Sequence, residues 1–94
     1  MEEKLRKNTP LIHEVARRHG VRRLRVFGSQ ARDQARPDSD LDLLVDLEPE
    51  RTLLDLIALR QDLEDVLGCR VDVVTESALS PHLRDEVLAQ ARPL

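Results

Sequence analysis

Aromatic residues are almost missing from this 94-residue chain: Phe27 is the only one, with no Trp and no Tyr. That scarcity argues against recognition of bases by stacking on aromatic platforms, the usual device of single-strand binders and RNA-recognition sheets. Cys69 is the sole cysteine, so no intrachain disulfide can form, no Cys-rich zinc site can be assembled, and core packing is its expected role. No apolar run approaches the ~18 residues needed to span a bilayer. The start of the chain, Met1 to Lys7, is charged and lacks the apolar stretch of a secretory signal. A cytoplasmic protein with no membrane association is expected. A basic excess is missing as well. The net charge is -3, whereas affinity for nucleic acid rests on Lys and Arg neutralising phosphates, so direct nucleic-acid binding is not expected.

What is present is a chain 40% hydrophobic and 35% charged, in which Leu, Val and Ile recur at helical and strand spacing. Its length suits one domain over 1–94 with a single core. The charge is unevenly spread. Residues 1–36 hold ten Lys or Arg against four acids, and residues 37–94 hold five against fourteen. One half suits phosphate and the other suits cations. The cluster of Arg17, Arg18, Arg22 and Arg23 reads either as a solvated face or as a surface for a partner or RNA.

Thr9 and Pro10 give the signal of an N-cap and first helical residue, followed by an apolar stripe of Leu11, Ile12, Val15 and Ala16 that stops before Gly20. Val21 to Phe27 interleaves arginines with apolar residues, the pattern of a strand with one exposed face. Residues 29–36 suit a short polar helix, ended by the turn sequence Pro37-Asp38-Ser39. Leu41 to Leu47 is the second strand, and its run Leu43-Leu44-Val45 predicts cover on both faces. Thr52 to Asp55 resembles a capping box and opens a helix with Leu53, Leu56, Ile57, Leu63 and Leu67, closed by Gly68. Val71 to Thr75 is the third strand. Ser80 and Pro81 start a last helix with Leu83, Val87, Leu88 and Ala91 on one side. The class is α/β (α+β), in the order α-β-α-β-α-β-α. The helical crossover makes strands two and three parallel, and the short connection makes strands one and two antiparallel, so the three-stranded sheet is mixed.

That topology gathers the end of strand one, Gly28-Ser29, and the starts of strands two and three, Asp40-Leu41-Asp42 and Asp72, at one end of the sheet. Asp40 and Asp42 share a face, about 7 Å apart, and Asp72 can supply a third carboxylate. Three crowded acids repel one another unless solvent or a hard cation relieves them, and magnesium is the economical choice. Two such ions can support phosphoryl or nucleotidyl transfer. Gly28 permits close approach of backbone to phosphate, and Ser29 offers a hydroxyl and an N–H. Arg32 lies one turn further on, within reach of a phosphate or of an acid on the sheet. The absence of Gly-Lys-Ser or Gly-Lys-Thr excludes a P-loop. Asp46 and Glu48 read as a solvated strand end. His13, His19 and His82 lack a second ligand at matching spacing.

Gly28-Ser29, ten intervening residues, then Asp40-Leu41-Asp42 resembles the signature of the DNA polymerase beta-like nucleotidyltransferase superfamily. With Phe27 to Arg32, Ser39 to Val45 and Val71 to Val74, nearly the whole chain resembles the minimal nucleotidyltransferase (MNT) group. The resemblance implies that Asp40 and Asp42 bind the metals carrying ATP, that Asp72 completes the site, and that Gly28 and Ser29 hold the phosphates. It also implies a HEPN-domain toxin as partner, in a type VII-like toxin-antitoxin module where AMP passes from ATP to a tyrosine of the toxin. A chain this short offers nothing to form the opposite wall of a substrate cleft, which points independently to a second protein. The alternatives are a non-catalytic antitoxin that neutralises a HEPN toxin by contact, and, ranked last, transfer to a small molecule, for which the chain has no acceptor-binding sequence.

Overall fold

The computed structural model describes the backbone of residues 2–4 and the whole of residues 5–28 and 41–94. The expected helix over 29–36 and the turn after it lie outside these residues, as do Ser29, Arg32 and Asp40.

The three strands fall where the apolar runs predict them: β1 Val21–Phe27, β2 Leu41–Leu47 and β3 Val71–Thr75. β1 pairs antiparallel with β2, and β2 pairs parallel with β3. The sheet is mixed, as expected, but it has a fourth strand, β4, at Arg92–Pro93, and the order is β3-β2-β1-β4. Two residues carry no alternation to read, and a proline is tolerated there because the strand lies at the edge.

Helix α1 spans Glu2–Arg18 with Pro10 inside it, so the expected start at Pro10 is corrected. The helix extends backwards because Leu5 continues the stripe of Ile12, Val15 and Ala16, and all four are buried in one core. Pro10 removes one helical N–H, and Thr9, instead of capping, donates its hydroxyl to the Leu5 carbonyl at 2.8 Å. Leu11 is exposed and lies outside the stripe.

Helix α2, Leu53–Leu67, is capped as its sequence suggests. The Asp55 carboxylate accepts from the Thr52 backbone N–H at 2.8 Å. Gly68 closes the helix in the left-handed region, its N–H donating to the Glu64 carbonyl. The inner face keeps the predicted Leu63 and Leu67, with Leu56 packed against the core, but not the predicted Leu53 and Ile57. Leu59, Leu63 and Leu67 are buried, whereas Leu53, Leu54 and Ile57 face outward. α3, Pro81–Gln90, is capped by Ser80, whose hydroxyl accepts from the His82 N–H. None of its residues is fully buried, and Leu83 is exposed. Because β3 and β4 occupy opposite edges, the connection containing the 3-10 turn Glu76–Ala78 and α3 carries the chain from one edge of the sheet to the other.

Alternation gives the sheet two unlike faces. Leu24, Val26, Leu41, Leu43, Val45, Val71 and Val73 join the core with α1 and α2, and Cys69 packs against it as expected. The second face carries Phe27, Arg25, Asp42, Leu44, Asp72 and Val74 in matching register. Leu44 is fully buried there, so both faces of β2 are covered at its centre. No helix among the described residues is long and apolar enough to cross a membrane.

Candidate active site

Three of the five residues singled out in the sequence are described, and they come together. Phe27 is the register partner of Asp42, and Asp42 is the register partner of Asp72. Adjacent strands lie about 4.8 Å apart, and register partners project to the same side. The two carboxylates therefore stand side by side on the second face, at the end of the sheet where β1 finishes. Ser29 and Asp40, outside the described residues, adjoin Gly28 and Leu41 in sequence.

Gly28 has a φ of +74°, a conformation that costs other residues roughly 1–2 kcal/mol. A Cβ placed on it would run into the Asp42 Oδ2 atom and lie 3.2 Å from its Cγ. The turn after β1 is thus shaped around the Asp42 side chain, and only glycine lets the backbone pass so close. Asp42 is half-buried and engaged in a polar interaction, whereas Asp72 is exposed. The start of β2 is further fixed by the Leu41 N–H, which donates to the Arg70 carbonyl at 3.0 Å.

These side chains suit a hard divalent cation. Carboxylate oxygens are its preferred ligands, and Asp72 makes no hydrogen bond or ion pair with any described residue that would compete. No cluster of three or more His, Cys, Asp or Glu is found among the described residues, a set that omits Asp40. Two of the three histidines have other partners. His13 Nε2 lies 2.7 Å from the Leu94 carbonyl oxygen and His19 Nε2 lies 2.6 Å from Asp62 Oδ2.

The far end of the same face corrects two expectations. Arg25, read as exposed, is buried, and Asp46 is not simply a solvated strand end. The Arg25 Nη2 lies 3.9 Å from Asp46 Oδ1 and 3.8 Å from Glu76 Oε2. An antiparallel register that sets Phe27 opposite Asp42 also sets Arg25 opposite Leu44, so this placement could have been found by extending the pairing from Gly28. Glu48 pairs with Arg51 at 3.9 Å.

Comparison with known proteins identifies the family. Residues 10–94 match the family model described as a nucleotidyltransferase domain. The chain is 42% identical over 80 residues to a candidate protein adenylyltransferase of Methanocaldococcus jannaschii, covering 85% of this chain and 86% of that protein. It is 46% identical over 77 residues to the protein adenylyltransferase MntA of Thermococcus cleftensis, covering 82% and 78% respectively. A solved structure of a candidate minimal nucleotidyltransferase superposes with a TM-score of 0.87 at 53% identity, covering 99% of this chain and 95% of that one. The fold alone is also shared with a chain from a complex of a tri-AMPylated Shewanella oneidensis HEPN toxin with an MNT antitoxin, at a TM-score of 0.72 and 22% identity over 99% of this chain and 71% of that one. With the family model spanning nearly all of it and the paired aspartates set against the glycine turn, the chain belongs to the nucleotidyltransferase domain family, and within it to the minimal nucleotidyltransferases.

Proposed function

We propose that this nucleotidyltransferase moves AMP from ATP to a tyrosine hydroxyl of a HEPN-domain toxin and so acts as the antitoxin of the pair in the cytoplasm, working as one domain over 1–94. The observation that carries the reading is the register that sets Asp42 beside Asp72 against the Gly28 turn. The protein adenylyltransferase relatives support the adenylyl group, and the HEPN–MNT complex supports the partner and a hetero-oligomeric assembly.

In the transfer, the acceptor oxygen bonds the α-phosphorus of ATP, the bond to the bridging oxygen breaks, pyrophosphate leaves, and the hydroxyl proton passes to solvent. Asp40, Asp42 and Asp72 would hold magnesium, as two ions, and the metal supplies charge neutralisation of the phosphates. Gly28 and Ser29 would receive the triphosphate, Gly28 by giving room for its approach. Asp72, exposed on its strand, is the carboxylate open to the substrate side.

The test is intact mass spectrometry of the partner that co-purifies with the tagged chain from its host, incubated with it, ATP and Mg²⁺. The partner gains whole AMP units, and Asp42→Asn removes the gain while leaving the complex intact. A partner that binds and is neutralised equally by the Asp42→Asn variant, without ever gaining mass, would replace this reading with neutralisation by contact.

A further inference from the structure

Among the described residues, the outer edge of β1 is half covered. β4 pairs with Arg25 and Val26, and the Leu94 N–H reaches the Leu24 carbonyl at 3.3 Å. From Val21 to Arg23 the edge carries no strand among the described residues. Beside it, between α1 and β1, is an open groove of about 650 Å³. Its apolar lining comes from Pro10, Ala16, Val21 and Leu24. Its charge comes from Arg17, Arg22 and Arg23, none of which is ion-paired with any described residue, and from Glu14, which is engaged by Arg18 at 3.2 Å.

Arg22 and Arg23 are both exposed, and Arg22 sits in a bulge. The β1–β2 register passes from Val21 opposite Leu47 to Arg23 opposite Asp46, which leaves Arg22 as the extra residue. A bulge re-aims side chains and twists the edge. Charged side chains on an open edge commonly guard against self-pairing, and here a second copy would bring Arg22 and Arg23 against their own counterparts. The same cations favour an edge partner of opposite sign.

We propose that this groove docks an extended acidic segment of a partner protein, which adds to β1 as a strand beyond β4 while its carboxylates meet Arg17, Arg22 and Arg23. An open strand edge supplies main-chain hydrogen bonds and alternate side-chain pockets, the two elements of strand addition. The half-apolar lining, which has His13 but no Phe, Tyr or Trp beside the arginines, favours a peptide over a polynucleotide, which binds through a track of phosphate contacts and stacking. The docking site is separate from the transfer reaction, since the groove lies at the start of β1 and the paired aspartates at its end, although Arg23, the register partner of Asp46, stands on their face of the sheet.

The experiment uses the whole chain and a fluorescein-labelled peptide, acetyl-Glu-Val-Glu-Thr-Glu-Val-amide, followed by anisotropy and by amide exchange of β1. Saturable binding is expected, weakened about tenfold or more in the triple variant Arg17→Ala/Arg22→Ala/Arg23→Ala, with slowed exchange in β1. A peptide N-methylated at alternate residues should lose binding, because it keeps the charge but not the strand hydrogen bonds. Unchanged affinity in the triple variant, or full binding by the N-methylated peptide, overturns the proposal. It is equally overturned if a short single-stranded RNA binds through these arginines where the peptide does not, or if the chain forms a dimer that the triple variant abolishes.

Discussion

Asp42 and Asp46 lie on the same face of the same strand, two alternations apart, and the molecule treats them in opposite ways. Asp46 faces Arg25, a cation buried within the sheet that it shares with Glu76. Asp42 faces Asp72, an acid like itself, beneath a turn stripped of its side chain. At one end of the face the chain neutralises its own carboxylates. At the other it sets two of them together and leaves Asp72 without a counterion among the described residues. Like charges held side by side cost folding energy, so the end that carries this cost is the end proposed above to receive the ligand.

Exchanging the charge at each end in turn would break that comparison most sharply. Asp72→Asn should lower AMP transfer at least about a hundredfold without reducing thermal stability, since it removes a ligand and a repulsion together. Asp46→Asn should leave the transfer rate within about twofold, because its partner is the protein itself. Single-turnover kinetics on both variants would check this, and equal losses would erase the distinction between the two ends. Leu44 lies between them, fully buried. Leu44→Ala should cost about 2–5 kcal/mol in urea unfolding by leaving a cavity under both ends.

Arg25→Met tests the neutralised end alone. Breaking a fully buried pair costs about 3–5 kcal/mol, but Asp46 and Glu76 keep 39% and 46% of their side-chain surface exposed and regain water, so about 1–2 kcal/mol is expected. The smallest effect concerns the cap of α2. The Thr52 backbone N–H, aided by the Arg51 charge, holds the Asp55 carboxyl below its ordinary pKa. A lowered folded pKa gives stability that is present above the unfolded value and lost as pH falls through the folded one. Wild type should therefore exceed Asp55→Asn in urea midpoint near pH 6, and the gap should close as the pH drops below about 4.

The strands are legible because β2 and β3 are apolar runs and β1 is an interleaved segment between Gly20 and Gly28, and their bounds agree with the sequence reading. The meeting of Gly28, Asp42 and Asp72 followed from the topology those runs imply. The start of α1 was obscured by Pro10, which imitates a first helical residue when the isolated Leu5 is not counted in the stripe. β4 was too short to leave a pattern. The outward turn of Leu53 and Ile57 was hidden because α2 is apolar on more than one side, and only packing decides which leucines go in. Arg25 escaped notice because a charged residue in an alternating strand reads as solvent-facing. Its burial depends on two acids, one on the neighbouring strand and one just past β3.

The side-by-side register of Asp42 and Asp72 also bears on how the chain comes to be active. A slip of β2 by one residue would turn Asp42 and Asp46 toward the helices and expel Leu43 from the core. Such a chain would bury two carboxylates and would lack the Asp42–Asp72 pair, so the pairing error that breaks the proposed site is also one the folded state rejects. Turnover in this protein is thereby a direct assay of strand fidelity: every active molecule has passed the same test of register that made it stable.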